Sequence, residues 1–353
     1  MLAGAVRAAP VADPLVRPAL PTRESLKSVL LDVTKAGPRF VAVGERGIVV
    51  LSDDAGKTWR QARVPTAVSL TAVAFATPKQ GWAVGHSGTV LHSDDGGETW
   101  TRQLDGVQAA RLVLEAAQAR ASARPSDPAA QGLLAEARQL VQDGPDKPFL
   151  ALHFESEREG WIAGAYGLFL HTEDGGKTWQ SWMDRLDNPR GLHLYAIRVD
   201  GSNLYLAGEQ GLFLRSSDRG ASFRRLETPY KGTYFAIGSV PTGELVLLGL
   251  RGNAYWSGDQ GKTFSKVDVP IPVSFSGVAT LADGTLVFAN QAGNLLASRD
   301  RGRTLKPLGT PPLPPLAALT PAGDGSVMTV GVGGAISLPL TGMSPATTSG
   351  ATR

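Results

Sequence analysis

The octapeptide SDDGGETW occupies residues 93–100, and it returns along the chain. SDDAGKTW stands at 52–59 and TEDGGKTW at 172–179. Looser copies follow as SSDRGASF (216–223), SGDQGKTF (257–264) and SRDRGRTL (298–305). The shared pattern is Ser/Thr-x-Asp-x-Gly-x-Thr/Ser-aromatic, with the last position decaying to Leu305. The closing residues fall at 59, 100, 179, 223, 264 and 305, a period near 41 with one doubled gap. Self-similarity at that period points to a propeller or a solenoid.

Each copy ends a larger unit. About ten residues before the closing aromatic come VGERGIVVLS, VGHSGTVLHS, AGAYGLFLHT, AGEQGLFLRS, LGLRGNAYWS or ANQAGNLLAS, and upstream of these an apolar run such as LTAVAFA, FLALHF or LYAIRV. One unit therefore reads as four short strands separated by glycine-rich turns, which is one antiparallel propeller blade. A seventh unit, PLAALTPAGDGSVMTVGVGGAISLPL after residue 312, has three strands and no octapeptide. The fold class expected is all-β: a seven-bladed β-propeller of four-stranded antiparallel blades over 14–340. LVRPALPT (15–22) aligns with WRQARVPT (59–66). The N-terminal strand 14–22 is accordingly expected to complete the seventh blade and close the ring. Residues 1–13 are expected to be a disordered tail or signal-peptide remnant and 341–353 a flexible tail.

The octapeptide looks reactive but repeats six times, whereas catalysis needs one constellation. Its expected work is architectural. Asp54, Asp95, Asp174, Asp218, Asp259 and Asp300 accept hydrogen bonds inside the turn. Gly56, Gly97 and Gly176 supply positive φ, and Trp59, Trp100 and Trp179 bury their rings between blades. In this the units resemble the Asp-box repeats of sialidases and other propellers.

The doubled gap holds DGVQAARLVLEAAQARASARPSDPAAQGLLAEARQLVQDGPDKP, rich in Ala, Leu, Arg and Gln. That composition predicts a helical hairpin over 105–147, with helices at about 107–122 and 128–142. Asp127 is the expected N-cap, with Pro128 at the first helical position. Leu112, Val113, Ala116, Leu133, Leu134, Ala137 and Val141 form the apolar stripes. The insertion joins an outer strand to the next inner strand, so it shares a face with the turns between second and third strands. The tips there are Glu45-Arg46, His86-Ser87, Ala165-Tyr166, Glu209-Gln210, Leu250-Arg251 and Gln291-Ala292, chemically varied on a constant frame. The candidates for a binding face are Arg46, His86, Tyr166, Glu209 and Arg251, joined by Asp187, Arg190 and His193 of the loop LDNPRGLHLY.

The unit LTAVAFATPKQGWAVGHSGTVLHSDDGGETW (70–100), with FESEREGWIAGAYGLFLHTEDGGKTW (154–179), resembles the photosystem II assembly and stability factor family. The resemblance runs over roughly 15–340, apart from the insertion, and implies a non-catalytic propeller acting as a scaffold for a membrane protein complex. The helical insertion and the degraded later boxes depart from the photosynthetic members, and the Ala/Gly/Pro/Arg-rich composition suits the non-photosynthetic bacterial branch. The expected partner is therefore a membrane or envelope protein complex of transporter type, the location periplasmic (alternatively cytoplasmic), and the chain a monomer.

A net charge of +3 without a basic run argues against nucleic acid. The absence of cysteine excludes disulfides, thiolate metal sites and a thiol nucleophile. No apolar run is long enough for a transmembrane helix. No cofactor and no metal site is expected, since His92 and His171 share one repeat position in different blades. Two other classes compete. A sialidase-like glycoside hydrolase would need Arg46, Arg251, Tyr166 and Glu209 to converge, and the Arg-Ile/Leu-Pro opening motif is missing. A small-ligand or sugar-binding propeller would use the central channel.

Overall fold

Apolar runs bounded by glycine turns become short antiparallel strands throughout residues 12–340, the part of the chain that the computed structural model describes. In blade 1, Leu30–Ala36, Arg39–Gly44, Val49–Ser52 and Arg60–Gln61 pair in chain order. Five more four-stranded sheets follow at 70–104, 149–181, 194–225, 234–267 and 275–307, forming blades 2 to 6. The first strand of each blade packs on the first strand of the next, and Leu316–Pro321 of blade 7 packs on Leu30–Ala36. The result is the seven-bladed propeller, with its core divided among the seams between sheets.

The repeated Gly-Trp has a packing cause. Gly81 pairs across strands with Phe75, and a Cβ there would lie 2.3 Å from the Phe75 ring. Gly160 stands in the same relation to Phe154. The neighbouring Trp82 and Trp161 are fully buried.

The boxes are structural, through a tighter network than an Asx-turn. Asp54 Oδ1 accepts from Thr58 N (2.8 Å) and Ser52 Oγ (2.9 Å), and Oδ2 accepts from Thr58 Oγ1 (2.6 Å). Ser52 Oγ in turn accepts from Gly56 N at 2.8 Å. The same set recurs at Asp95, Asp174, Asp218, Asp259 and Asp300. The Thr58 hydroxyl and N–H hold the Asp54 carboxyl down at about 2. Gly97 takes φ +91°, and Trp100 and Trp179 are buried, while Trp59 is half-buried. Asp95→Ala is expected to lower stability by about 1 kcal/mol. Asp95→Asn, which keeps one acceptor, should lose less, as read by the urea midpoint.

Ring closure differs from expectation. Blade 7 has three strands, Leu316–Pro321, Ser326–Gly331 and Gly334–Pro339. Residues 14–22 form no strand and run along the rim of blades 1 and 2. Pro14 O accepts from Ala67 N (2.8 Å), Ala19 N donates to Val64 O (3.0 Å), and Arg102 donates to Leu15 O (2.7 Å). The reason lies in Pro18 and Pro21, which have no N–H for a ladder. The ring closes by packing instead: Met328 and Val330 share a core with Leu30, Val33 and Phe40, and Lys35 Nζ donates to Ala322 O at 2.8 Å. Residues 1–11 and 341–353, expected as tails, lie outside the described residues.

Candidate functional site

The helical hairpin forms as α1 (Gly106–Ala123) and α2 (Pro128–Asp143). Asp127 caps α2 through Ala129 N (2.9 Å), as expected. Asp105 and Gln108 make a capping box on α1, a signal present in DGVQ. The buried stripe is Ala109, Ala110, Val113, Ala117 and Ala121 on α1, with Ala130, Leu134, Ala137 and Leu140 on α2. Ala116 and Val141, placed in the stripe by spacing, are exposed. The hairpin is seated on blades 2 and 3, in one core with Trp82, Leu104, Phe149 and Leu168. Its entry is tight: a Cβ on Gly106 would lie 2.7 Å from Pro145 Cα and 2.9 Å from Ser87 O. Gly106→Ala is expected to cost about 1–2 kcal/mol by overpacking. Amide exchange should then speed up in 106–143 before the blades respond.

The tips between second and third strands sit one residue later than the spacing suggests. The left-handed pairs are Arg46-Gly47, Ser87-Gly88, Tyr166-Gly167, Gln210-Gly211 and Arg251-Gly252. A Cβ on Gly47 would meet Thr66 O at 2.0 Å, because the connector to the next blade crosses the tip. Among these tips Tyr166 stands out. An aromatic residue in the left-handed region (φ 55°) is an uncommon, strained choice, and Tyr166 is 54% exposed.

Tyr166 begins an aromatic strip. Lys147 Nζ lies 4.9 Å from the centre of its ring, and His193 packs edge-on at 5.0 Å. His193 reaches Tyr195 (6.4 Å), and Tyr195 reaches Phe235 (5.3 Å). Tyr195 and Phe235 belong to a ring of bulged residues. In every blade the innermost strand carries a register shift after its first residue. The residues set free, including Leu31, Thr71 and Leu150, line the mouth of the central channel. Bulges re-aim side chains in this way. The channel encloses about 440 Å³. Asp32 lines its wall, and burial lifts the carboxyl to about 7 against the pull of the Val73 and Val33 N–H groups.

At its other end the strip meets a cleft of about 210 Å³ between the hairpin and blade 3. Val113, Ala117, Leu133, Ala137, Leu140 and Met183 line it, and Lys147, Tyr166 and Arg190 stand at its edge. Sequence reading missed Lys147, Tyr195 and Phe235; the signal for Lys147 was its place directly after α2.

Of the expected binding-face residues, the fold brings Tyr166, Arg190, His193 and Glu209 together. His193 Nδ1 lies 3.3 Å from a Glu209 carboxylate oxygen, and Arg190 bonds Gln210. Arg46, His86 and Arg251 stand at the tips of blades 1, 2 and 5, with no side-chain hydrogen bond or ion pair among the described residues. Asp187 turns to blade 4, accepting from Arg225 N at 3.4 Å. Nothing joins Arg46 or Arg251 to Tyr166 and Glu209, as a sialidase-like site would require. Among the described residues no cluster of acidic and histidine side chains is placed to hold a metal ion.

The model of the photosynthesis system II assembly factor YCF48 family matches residues 51–117 and 134–305, well over half of the chain. The chain belongs to that family. The match passes over 118–133, the distal part of the hairpin. Over 67 residues the chain is 36% identical to the photosystem II stability/assembly factor HCF136 of Arabidopsis thaliana, spanning 19% of this chain and 16% of that one. Over 77 residues it is 29% identical to the photosystem II assembly lipoprotein Ycf48 of Synechococcus sp. (strain CC9902), spanning 22% and 23%. The alignments thus cover about a fifth of these curated relatives' length. The solved structure of YCF48 bound to D1 peptide superposes with a TM-score of 0.64 at 17% identity, covering 94% of this chain and 99% of that one. At that identity the likeness is one of fold. No helix among the described residues is long and apolar enough to cross a membrane.

Proposed function

We propose that this family member is a non-enzymatic scaffold that helps to assemble a membrane protein complex, acting on the periplasmic side of the envelope. The observation that carries the reading is the exposed Tyr166 at the junction of the aromatic strip and the hairpin cleft. Large aromatic side chains beside an apolar cleft are the groups that anchor protein interfaces. Family membership supports an assembly role. A relative described as a lipoprotein supports an envelope location, and a relative bound to a peptide of D1 supports a protein partner. The hairpin points to a partner other than the photosystem, because the family match passes over its distal part.

The test is a paired capture from envelope extracts, using the full protein and a version with 106–145 replaced by a short Gly/Ser linker. Circular dichroism first confirms that the linker version keeps its strands. A membrane protein retained by the full chain and lost from the linker version, and from Tyr166→Ala, is the expected outcome. Equal capture by all three would remove this face as the docking site. Hydrolysis of a fluorogenic glycoside, abolished by Glu209→Gln, would replace the scaffold reading with an enzymatic one.

A further inference from the structure

The cleft between the hairpin and blade 3 has an uneven charge balance at its rim. Arg120 is answered by Asp184 at 2.9 Å, and Lys147 by Asp143 at 3.2 Å and by Asp146. Two exposed rim residues have no opposite charge among the described residues. Glu136, on α2, makes no hydrogen bond or ion pair, and desolvation beside the apolar lining raises its carboxyl above the usual range. Arg190, from the loop after blade 3, meets the neutral amide of Gln210. The lining between them is apolar. At about 210 Å³ the cleft falls below the roughly 300–1,000 Å³ of sites for drug-sized molecules. Its volume suits a single large side chain.

We infer that this cleft receives an extended peptide segment of the partner, in which one large aliphatic or aromatic side chain lies between a basic residue and an acidic residue. The apolar side chain fills the cleft, the basic residue meets Glu136, and the acidic residue meets Arg190. The two unanswered charges set the direction in which the segment lies. The inference rests on the scaffold reading and adds the chemistry of what the scaffold holds.

The experiment uses the full chain and fluorescein-labelled synthetic peptides read by anisotropy. One set places lysine before and glutamate after a central leucine, at spacings of one and two residues. A second set replaces both lysine and glutamate with glutamine, and a third replaces leucine with alanine. Leucine is expected to bind about fiftyfold tighter than alanine, the worth of burying three extra carbon atoms. Ala116→Trp places an indole in the cleft from an exposed position and should weaken binding by about tenfold or more. The double variant Glu136→Gln with Arg190→Gln should abolish a preference, about fivefold in the unaltered protein, for the charged peptides over those carrying glutamine. All three substitutions are at exposed positions, and unchanged circular dichroism is the control. Indifference to leucine, to Ala116→Trp or to the two peptide charges, or no saturable binding in the millimolar range, overturns the inference. The scaffold reading is judged separately: capture of the membrane partner by the triple variant would leave it standing and remove the cleft as its site.

Discussion

Trp82→Ala is expected to cost about 3–5 kcal/mol, a large part of the roughly 5–15 kcal/mol a domain has in total. The Trp82 ring is fully buried and lies flat on Phe154 of the next blade, 3.7 Å between centroids and 4° from parallel. Its Nε1 donates to Gly175 O, in the box turn of blade 3, at 3.1 Å. One side chain thus joins the second strand of blade 2 to two elements of blade 3, in the core that the hairpin shares. Trp82→Phe keeps most of the apolar surface and removes one of two donors to Gly175 O, Gln103 Nε2 remaining at 2.9 Å, so about 1 kcal/mol should be lost. Trp161 is the built-in contrast. It holds the same repeat position and is as deeply buried, yet its Nε1 has no partner among the described residues. Trp161→Phe should therefore cost less than Trp82→Phe. Urea unfolding by circular dichroism checks the order, and a Trp82→Ala midpoint close to that of the unaltered protein would contradict the assignment.

His171→Leu should stabilise the protein, and more in acid than in base. His171 is 1% exposed and stacks on Trp182 at 3.8 Å; neither ring nitrogen makes a hydrogen bond among the described residues, and a Glu159 carboxylate oxygen stands 3.6 Å from Nε2. Burial pushes its pKa down to about 4. Unfolded histidine titrates near 6.5, so between pH 6.5 and 4 the unfolded chain binds the proton that the folded chain refuses. Stability is thereby lost as pH falls through that window. At pH 8 the gain from removing two unsatisfied nitrogens is about 1–2 kcal/mol. At pH 5 roughly a further 1–2 kcal/mol should appear. Leucine already stands at this repeat position in blade 1, as Leu51. The difference between variant and parent is the quantity to measure, because two other groups also titrate. His153, also held near 4 by burial, adds a loss of the same sign. Asp32, raised to about 7, runs the other way, losing stability as pH rises from about 4 to 7. A His171→Leu gain that is the same at pH 8 and pH 5 would disprove the proton linkage.

What could be read from the chain alone follows the range of the forces involved. The box turns are local: Ser52, Asp54, Gly56 and Thr58 bond one another, so eight residues carry the whole instruction. The hairpin was legible for the same reason, through Asp127-Pro128 and its run of helix formers. The closure was not. LVRPALPT resembles an outer strand residue by residue, but whether it pairs depends on N–H groups that Pro18 and Pro21 lack. The position over the blade 7 tip is instead taken by Leu26, whose carbonyl lies 2.2 Å from where a Cβ on Gly334 would stand. The candidate face is half legible. Tyr166, Arg190, His193 and Glu209 stand among its tips and loop residues, but Tyr195 and Phe235 lie inside apolar strands. Only the bulge turns them to the channel mouth, and register shifts leave no mark in composition.

The closing seam between blades 7 and 1 is made of packed strands, with no strand shared across it among the described residues. It is held by packing as the other six are, but among the described residues it is not crossed by a connection from one blade's last strand to the next blade's first. Such a ring is a linear array bent back on itself, whose stability divides into terms for each unit and terms for each adjacent pair. Its weakest joint, wherever that lies, decides where it opens. Loss of Trp82 would weaken the joint between blades 2 and 3, while the packing between blades 7 and 1 would be untouched.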